Sequence, residues 1–286
     1  MATTSWSSGS LHGSDADFRT WGLELSTKLQ SMAGLVKTAD TGQINWASVA
    51  RAAINTNAGY EIYYLNDSLH ATAPIYIKIW YGTGTVLTNP RMTFEIGTGS
   101  NGAGLLTGLG LAAAQGFTTQ ATAGTATAAN SYLCVTSGFM GLGWKLSTTA
   151  GWLIIQRTCD GDGTPNIKGA HLMFRTLTTF SYATLRYETT AVASAIAADG
   201  YAGFVPQATT SSSLQNGDKQ IFLHWGMFPD MRPLWGTGVY VVAEYTLGST
   251  FSVALVGATP HTYLTLVAAA YANANSATYG LAMLWE

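Results

Sequence analysis

The chain has 286 residues, 47% of them apolar and only 10% charged, with a formal net charge of −2. A charged share so far below the usual figure of about 25% points to a surface largely covered by other copies or neighbours; the alternative is a monomer solubilised by Thr, Ser, Asn and Gln. Lys and Arg form no basic stripe, which gives nucleic acid no electrostatic footprint, and no run of 18 apolar residues offers a membrane span.

Residues 1 to 13 are rich in Ser, Gly and Thr and read as a flexible arm, without the basic start and apolar core of a signal peptide. Ser14 has the chemistry of a helix cap, with Asp15 and Asp17 in the first turn beside the positive end of the helix dipole. Phe18, Trp21, Leu25, Leu29 and Met32 recur every three or four residues as one apolar stripe, and Gly34 sits where a C-terminal cap is expected. The spacing predicts a helix over residues 15 to 33. Its stripe is assigned as an interface that docks on a neighbour's groove; the alternative is packing on the chain's own β domain. Arm and helix make a unit at 1–36, followed by a β-rich body at 37–286, a single large domain with room for two subdomains.

After Gly34, short aromatic and β-branched runs alternate with Gly, Asn, Asp and Pro, the pattern of strands joined by turns. The clearest strands are Tyr60 to Leu65, Ile75 to Tyr81, Met92 to Ile96, Trp152 to Thr158, His171 to Thr176, Gln220 to Trp225, Val239 to Tyr245 and Leu281 to Trp285. Alternation in the second puts Ile75, Ile77, Ile79 and Tyr81 on one face and Tyr76, Lys78 and Trp80 on the other. The uncharged stretch from Gly97 to Asn130 reads as long loops with room for one short strand. Residues 207 to 219 read as a surface loop, and 185 to 200 as a connection with space for a short helix. The recurrent Gly-Thr-Gly at 82 to 84, 97 to 99 and 236 to 238 is irregularly spaced and reads as shared turn chemistry. The fold class is all-β, sandwich or jelly-roll-like, with one N-terminal amphipathic helix.

No chemistry stands out. Asp40, Asp67, Asp160, Asp162 and Asp230 sit beside turn formers, the five histidines are scattered, and neither HExxH, CxxC nor GxSxG occurs. The segment Cys159-Asp160-Gly161-Asp162-Gly163-Thr164 resembles half a calcium loop, but position 171 is His171 where a twelve-residue loop needs Glu. It reads as a turn between the strands at 152–158 and 171–176, with no metal. Cys134 and Cys159 are too few for a disulfide framework and read as buried thiols. The nine tryptophans read as core and interface anchors, with a glycan-binding role as the alternative.

Asp17 to Ser26, followed by Gly34-Leu35-Val36-Lys37-Thr38-Ala39-Asp40-Thr41-Gly42-Gln43-Ile44-Asn45-Trp46, resembles a group of tailed-phage and prophage proteins described as virion structural or tail-associated subunits. The likeness continues through Gly59 to Tyr63, Ala73 to Lys78 and Glu95 to Gly104, and is looser later, at Arg157 to Pro165 and the strand ending in Trp285. The resemblance implies a non-enzymatic virion subunit assembled in the host cytoplasm, at the tail tip, baseplate or a fibre, and acting in assembly or host adsorption. It carries over no catalytic residue and no cofactor. Its partners would be further copies, as a trimer or higher oligomer, and other virion proteins. Two alternatives are a carbohydrate-binding module that recognises a host-surface glycan and a head-attached decoration or fibre protein; a polysaccharide hydrolase would need paired carboxylates that no spacing reveals.

Overall fold

Capping and alternation account for most of the regular structure in the computed structural model, which describes residues 2–8, 12–109, 115–118, 129–146, 149–160, 164–176, 180–186, 220–223, 238–242, 248–254, 260–267 and 280–286. Ser14 is the N-cap of α1 (Asp15–Gln30), its Oγ accepting the Asp17 amide at 3.1 Å. The helix stops three residues short of the expected end, because the Ser31 amide turns back to the carbonyls of the last turn. Gly34 is not the cap; it lets the chain pass Val135, whose Cγ1 would lie 2.6 Å from a Cβ there.

The strands are β1 (Ala2–Ser8), β2 (Leu35–Lys37), β3 (Asn57–Leu65), β4 (Tyr76–Thr83), β5 (Pro90–Gly97), β6 (Gly99–Ser100), β7 (Leu106–Thr107), β8 (Gln115–Thr118) and β9 (Ala129–Thr136). They continue with β10 (Phe139–Leu146), β11 (Thr149–Cys159), β12 (Pro165–Thr176), β13 (Phe180–Arg186), β14 (Gln220–Leu223), β15 (Gly238–Val242), β16 (Thr250–Ala254), β17 (Pro260–Val267) and β18 (Gly280–Leu284). Among the described residues they form three large antiparallel sheets, in the orders β2-β3-β4-β5-β8, β1-β9-β10-β11-β12-β13 and β14-β15-β18-β17-β16, here called helix-side, central and outer, and a two-stranded β6-β7 hairpin. Among the described residues the fold is all-β with one helix.

The central sheet is covered on both faces. Leu133, Val135, Met140, Leu142, Leu153 and Ile155 share one core with α1 and with Ile75, Ile77, Ile79 and Tyr81 of the helix-side sheet. Cys134, Trp152, Ile154 and Gln156 on the opposite face are buried as well. A Cβ on Gly143 would lie 2.8 Å from Leu266 and Met283, so the outer sheet is the layer that covers them. Burial on both faces explains the near-continuous apolar run of β11.

Several expectations are corrected. Residues 2–8 are no flexible arm: they pair with β9 from Ala2↔Val135 to Ser8↔Ala129, because Ala2 and Trp6 alternate inward against the core while Ser and Thr hydroxyls suit the sheet's exposed edge. Phe18, Trp21, Leu25, Leu29 and Met32 pack into the chain's own core, at 0 to 7% exposure. Each buried side chain of this size is worth about 1.5–3 kcal/mol, so the stripe is consumed by its own sheet and does not form a separate docking unit at 1–36. The stretch after Gly97 holds the β6–β7 hairpin and β8, more than the single short strand expected. Of the expected strands, residues 224–225 and 243–245 lie outside the described residues, as do the loop at 207–219 and 187–200 of the expected helical connection.

Candidate functional site

With so few charges in the sequence, where each one goes is informative. Glu61 lies on β3, facing inward in the alternation that also buries Tyr63 and Leu65. Its carboxylate is fully buried and receives five donors, from α1, β2, the β2–β3 connection, β3 and β4. On Oε1 they are Ser26 Oγ of α1 at 2.7 Å, Lys37 Nζ of β2 at 2.6 Å and Trp46 Nε1 at 3.2 Å. Oε2 accepts the hydroxyls of Tyr63 at 2.9 Å and Tyr81 at 2.7 Å. Burial, with the Glu61 charge beside them, raises both tyrosines far above the ordinary phenol range. All five donors belong to the chain, so the group ties helix to sheet and is closed to a substrate.

The opposite face of the same sheet holds the converse. Lys78 pairs with Ile62 and Glu95 across the strands, and only 2% of it is exposed. Its Nζ lies 3.8 Å from the Trp80 ring centroid and 4.2 Å from that of Tyr60, and donates to Gly104 O at 2.5 Å. Burial lowers its pKa, against the pull of Glu95 and Asp40. Trp80 Nε1 donates to Glu95 Oε1 at 2.6 Å. Asp40 accepts the Gly104 amide at 3.0 Å and the Ser100 hydroxyl; burial raises its pKa, but these hydrogen bonds outweigh it and hold the carboxyl below its usual range. Lys78 and Asp40 therefore grip the two ends of one residue of the β6–β7 hairpin.

A third tie joins two sheets. Arg157 of β11, fully buried, makes a bidentate pair with Asp67 in the β3–β4 connection, Nε to Oδ2 at 2.6 Å and Nη2 to Oδ1 at 2.9 Å. Its Nη1 donates to Ala73 O at 2.6 Å. His70 of the same connection forms a half-buried aromatic group with Tyr64 and Tyr76 of the flanking strands, with Tyr64 and His70 stacked at 4.4 Å.

The remaining sequence candidates are dispersed. Trp21, Trp46, Trp144 and Trp152 are core, Trp6 packs on its edge, and Trp80 and Trp285 are half-buried; Trp225 and Trp235 lie outside the described residues. The Cys159 to Thr164 segment closes an antiparallel hairpin, with the Asp160 amide on Thr164 O at 2.8 Å, while residues 161–163 lie outside the described residues. Cys134 and Cys159 are both buried, and burial pushes the Cys134 thiol up to about 11. Among the described residues no group of three or more His, Cys, Asp or Glu is placed to hold a metal ion, and no helix is long and apolar enough to cross a membrane.

Sequence reasoning noted Lys78 between Tyr76 and Trp80 but gave Glu61 no role. A charged residue inside a strand of otherwise apolar and aromatic residues was the available signal. Its partners, from positions 26 to 81, share no spacing that a one-dimensional reading detects. No protein-family model matches this chain, and no curated protein matches it.

Proposed function

We propose that this chain is a non-enzymatic structural subunit of a tailed-phage virion, at the tail tip, baseplate or a fibre, surrounded in place by further copies and other virion proteins. The sequence resemblance suggests the setting. The observation that carries the reading is the fate of the charges. Of 28 charged residues (13 Lys and Arg plus 15 Asp and Glu), Glu61, Lys78 and Arg157 are buried, and the side chain of Asp67 is 4% exposed. A chain with few charges thus spends several of them on internal ties, which leaves still fewer for its surface, and a surface sparse in charge is served by being covered. The test is a cryo-EM map of purified particles from a host carrying the encoding phage or prophage. The expected result is density into which this chain is traced in many copies; particles that lack the chain by mass spectrometry would refute the reading.

A carbohydrate-binding module is the second reading, favoured by the half-buried Tyr64–His70–Tyr76 group, since aromatic faces suit sugar rings. A glycan array on the isolated chain and on Tyr76→Ala separates the two: signal lost in the variant supports the module, and no signal in either removes it.

A further inference from the structure

The β6–β7 hairpin is held as a fixed knob on the helix-side sheet. Asn101 Oδ1 accepts the amides of Ala103 at 2.8 Å and Leu105 at 3.0 Å, and the Thr41 amide reaches Gly102 O at 2.9 Å. Gly104, at φ +88°, leaves no room for a side chain: a Cβ would fall 1.9 Å from the Tyr60 hydroxyl. What this braced hairpin presents is Leu105, 64% exposed and more so than any other exposed large apolar residue among those described. The sequence around it is uncharged from Ile96 to Trp144. Asp40 and Glu95 outnumber Lys78 at its base, leaving a net negative charge there.

A second apolar feature leaves β5 at its other end. Ile54, Val86 and Leu87 are 46%, 37% and 51% exposed. Backbone bonds bring them together: Asn55 N to Gly84 O at 2.9 Å, and Asn89 N to Val86 O at 3.0 Å. Arg51 and Arg91 flank them, reaching Leu87 O at 3.5 Å and Asn55 O at 2.5 Å. Asp15 offsets one of the two, so this end is net positive.

We infer that Leu105 of one copy seats on the Ile54–Val86–Leu87 patch of the next, in a head-to-tail contact between copies of this chain. The two features are both apolar, carry opposite net charge at their rims and lie on different parts of one subunit. Such a contact is heterologous and repeats into a closed ring or an open array. A hairpin already braced loses little freedom on seating. The inference rests on the proposed role as a repeated subunit and names the surfaces that repeat.

Sedimentation velocity over a concentration series tests it with wild type, Leu105→Asp, Leu87→Asp and, as a control on α1, Leu23→Asp, whose leucine is 53% exposed. All three substituted sites are at the surface, and circular dichroism melts verify folding. Wild type and Leu23→Asp should associate, while Leu105→Asp and Leu87→Asp should each remain at 30.2 kDa. An equimolar mixture of those two should give a dimer and nothing larger, because one intact knob meets one intact patch. Association that survives both substitutions, or falls equally in Leu23→Asp, overturns the contact while leaving the repeated-subunit reading in place. A wild type that is monomeric throughout also overturns it, and the particle map then judges the virion reading alone.

Discussion

Glu61 and Lys78 sit on neighbouring strands, face opposite sides of one sheet and are both withdrawn from water, yet the chain accommodates them in unlike ways. The carboxylate receives five hydrogen-bond donors, one of them a cation. The ammonium is held by two aromatic faces and one carbonyl, with carboxylates only in its wider surroundings. An acceptor-only group can be satisfied by hydroxyls and an indole N–H that a core already contains. An ammonium needs acceptors, which β-sheet side chains supply sparingly, so a loop carbonyl is brought to it. The inner tie therefore depends on residues of the core, and the outer one on the conformation of a hairpin.

Four experiments break or sharpen that contrast. The largest effect is expected where charge meets charge directly. Arg157→Met leaves the Asp67 carboxylate buried without its partner, which should cost about 3–5 kcal/mol in urea unfolding. A loss under about 1 kcal/mol would mean that the tie between central and helix-side sheets holds little. Next, Glu61→Gln removes the charge that five donors share and should cost about 2–3 kcal/mol. Lys78→Met should cost only about 1 kcal/mol, since the stem still packs on the rings and the cation–π share is of that order. Equal losses would erase the distinction between the two faces. Third, Gly104→Ala strains a positive φ and drives a methyl into Tyr60, for an expected loss of about 1–2 kcal/mol. The same variant should increase amide exchange at residues 99–107 and leave α1 unchanged; an effect spread over the whole chain would sink the idea of a local brace.

The smallest effect is nil at neutral pH. Tyr63 and Tyr81 have folded pKa values raised above the unfolded value of 10.0, so their contribution to stability is complete below pH 10 and is lost as pH rises beyond it. Phenolate absorbance should show tyrosines that stay protonated past the ordinary range until the chain unfolds. In Glu61→Gln the neighbouring negative charge is gone and their titration should begin at lower pH. Tyrosines that all titrate near the ordinary value in the wild type would contradict the closed inner site.

The parts of this fold legible from sequence are those where one periodicity dominates. β3, β4 and β5 show as short runs of β-branched and aromatic residues between turn formers, with Ile77, Ile79 and Tyr81 of β4 on the core face, and β11 reads as an apolar run because both its faces are buried. β10 was missed because Gly141 and Gly143 look like turn signals. Gly143 is instead a place where two sheets approach, with Leu266 and Met283 filling the space of its absent side chain. β1 was missed because Ser and Thr suggested an arm, although Ala2, Thr4 and Trp6 already alternate with more exposed positions. The helix stripe was legible, but its destination was not. An apolar face looks the same whether its own sheet or a neighbour's groove receives it, and only the position of Tyr81 and Trp46 beside Trp21 and Phe18 decides.

The pairing of β1 with β9 also sets a timetable. Ser7 meets Asn130 across 123 positions of sequence. At about 5–20 residues per second, β1 leaves the ribosome roughly 6–25 s before its partner strand exists, longer than the microseconds to seconds in which small domains fold. The segment from α1 to β5 can collapse around Glu61 in that interval, since all five donors lie between Ser26 and Tyr81. Trp6 must wait, unburied, for the central sheet. Nascent chains in the interval expose an unpaired strand of seven residues, the kind of surface that holds folding chains at risk of pairing with one another.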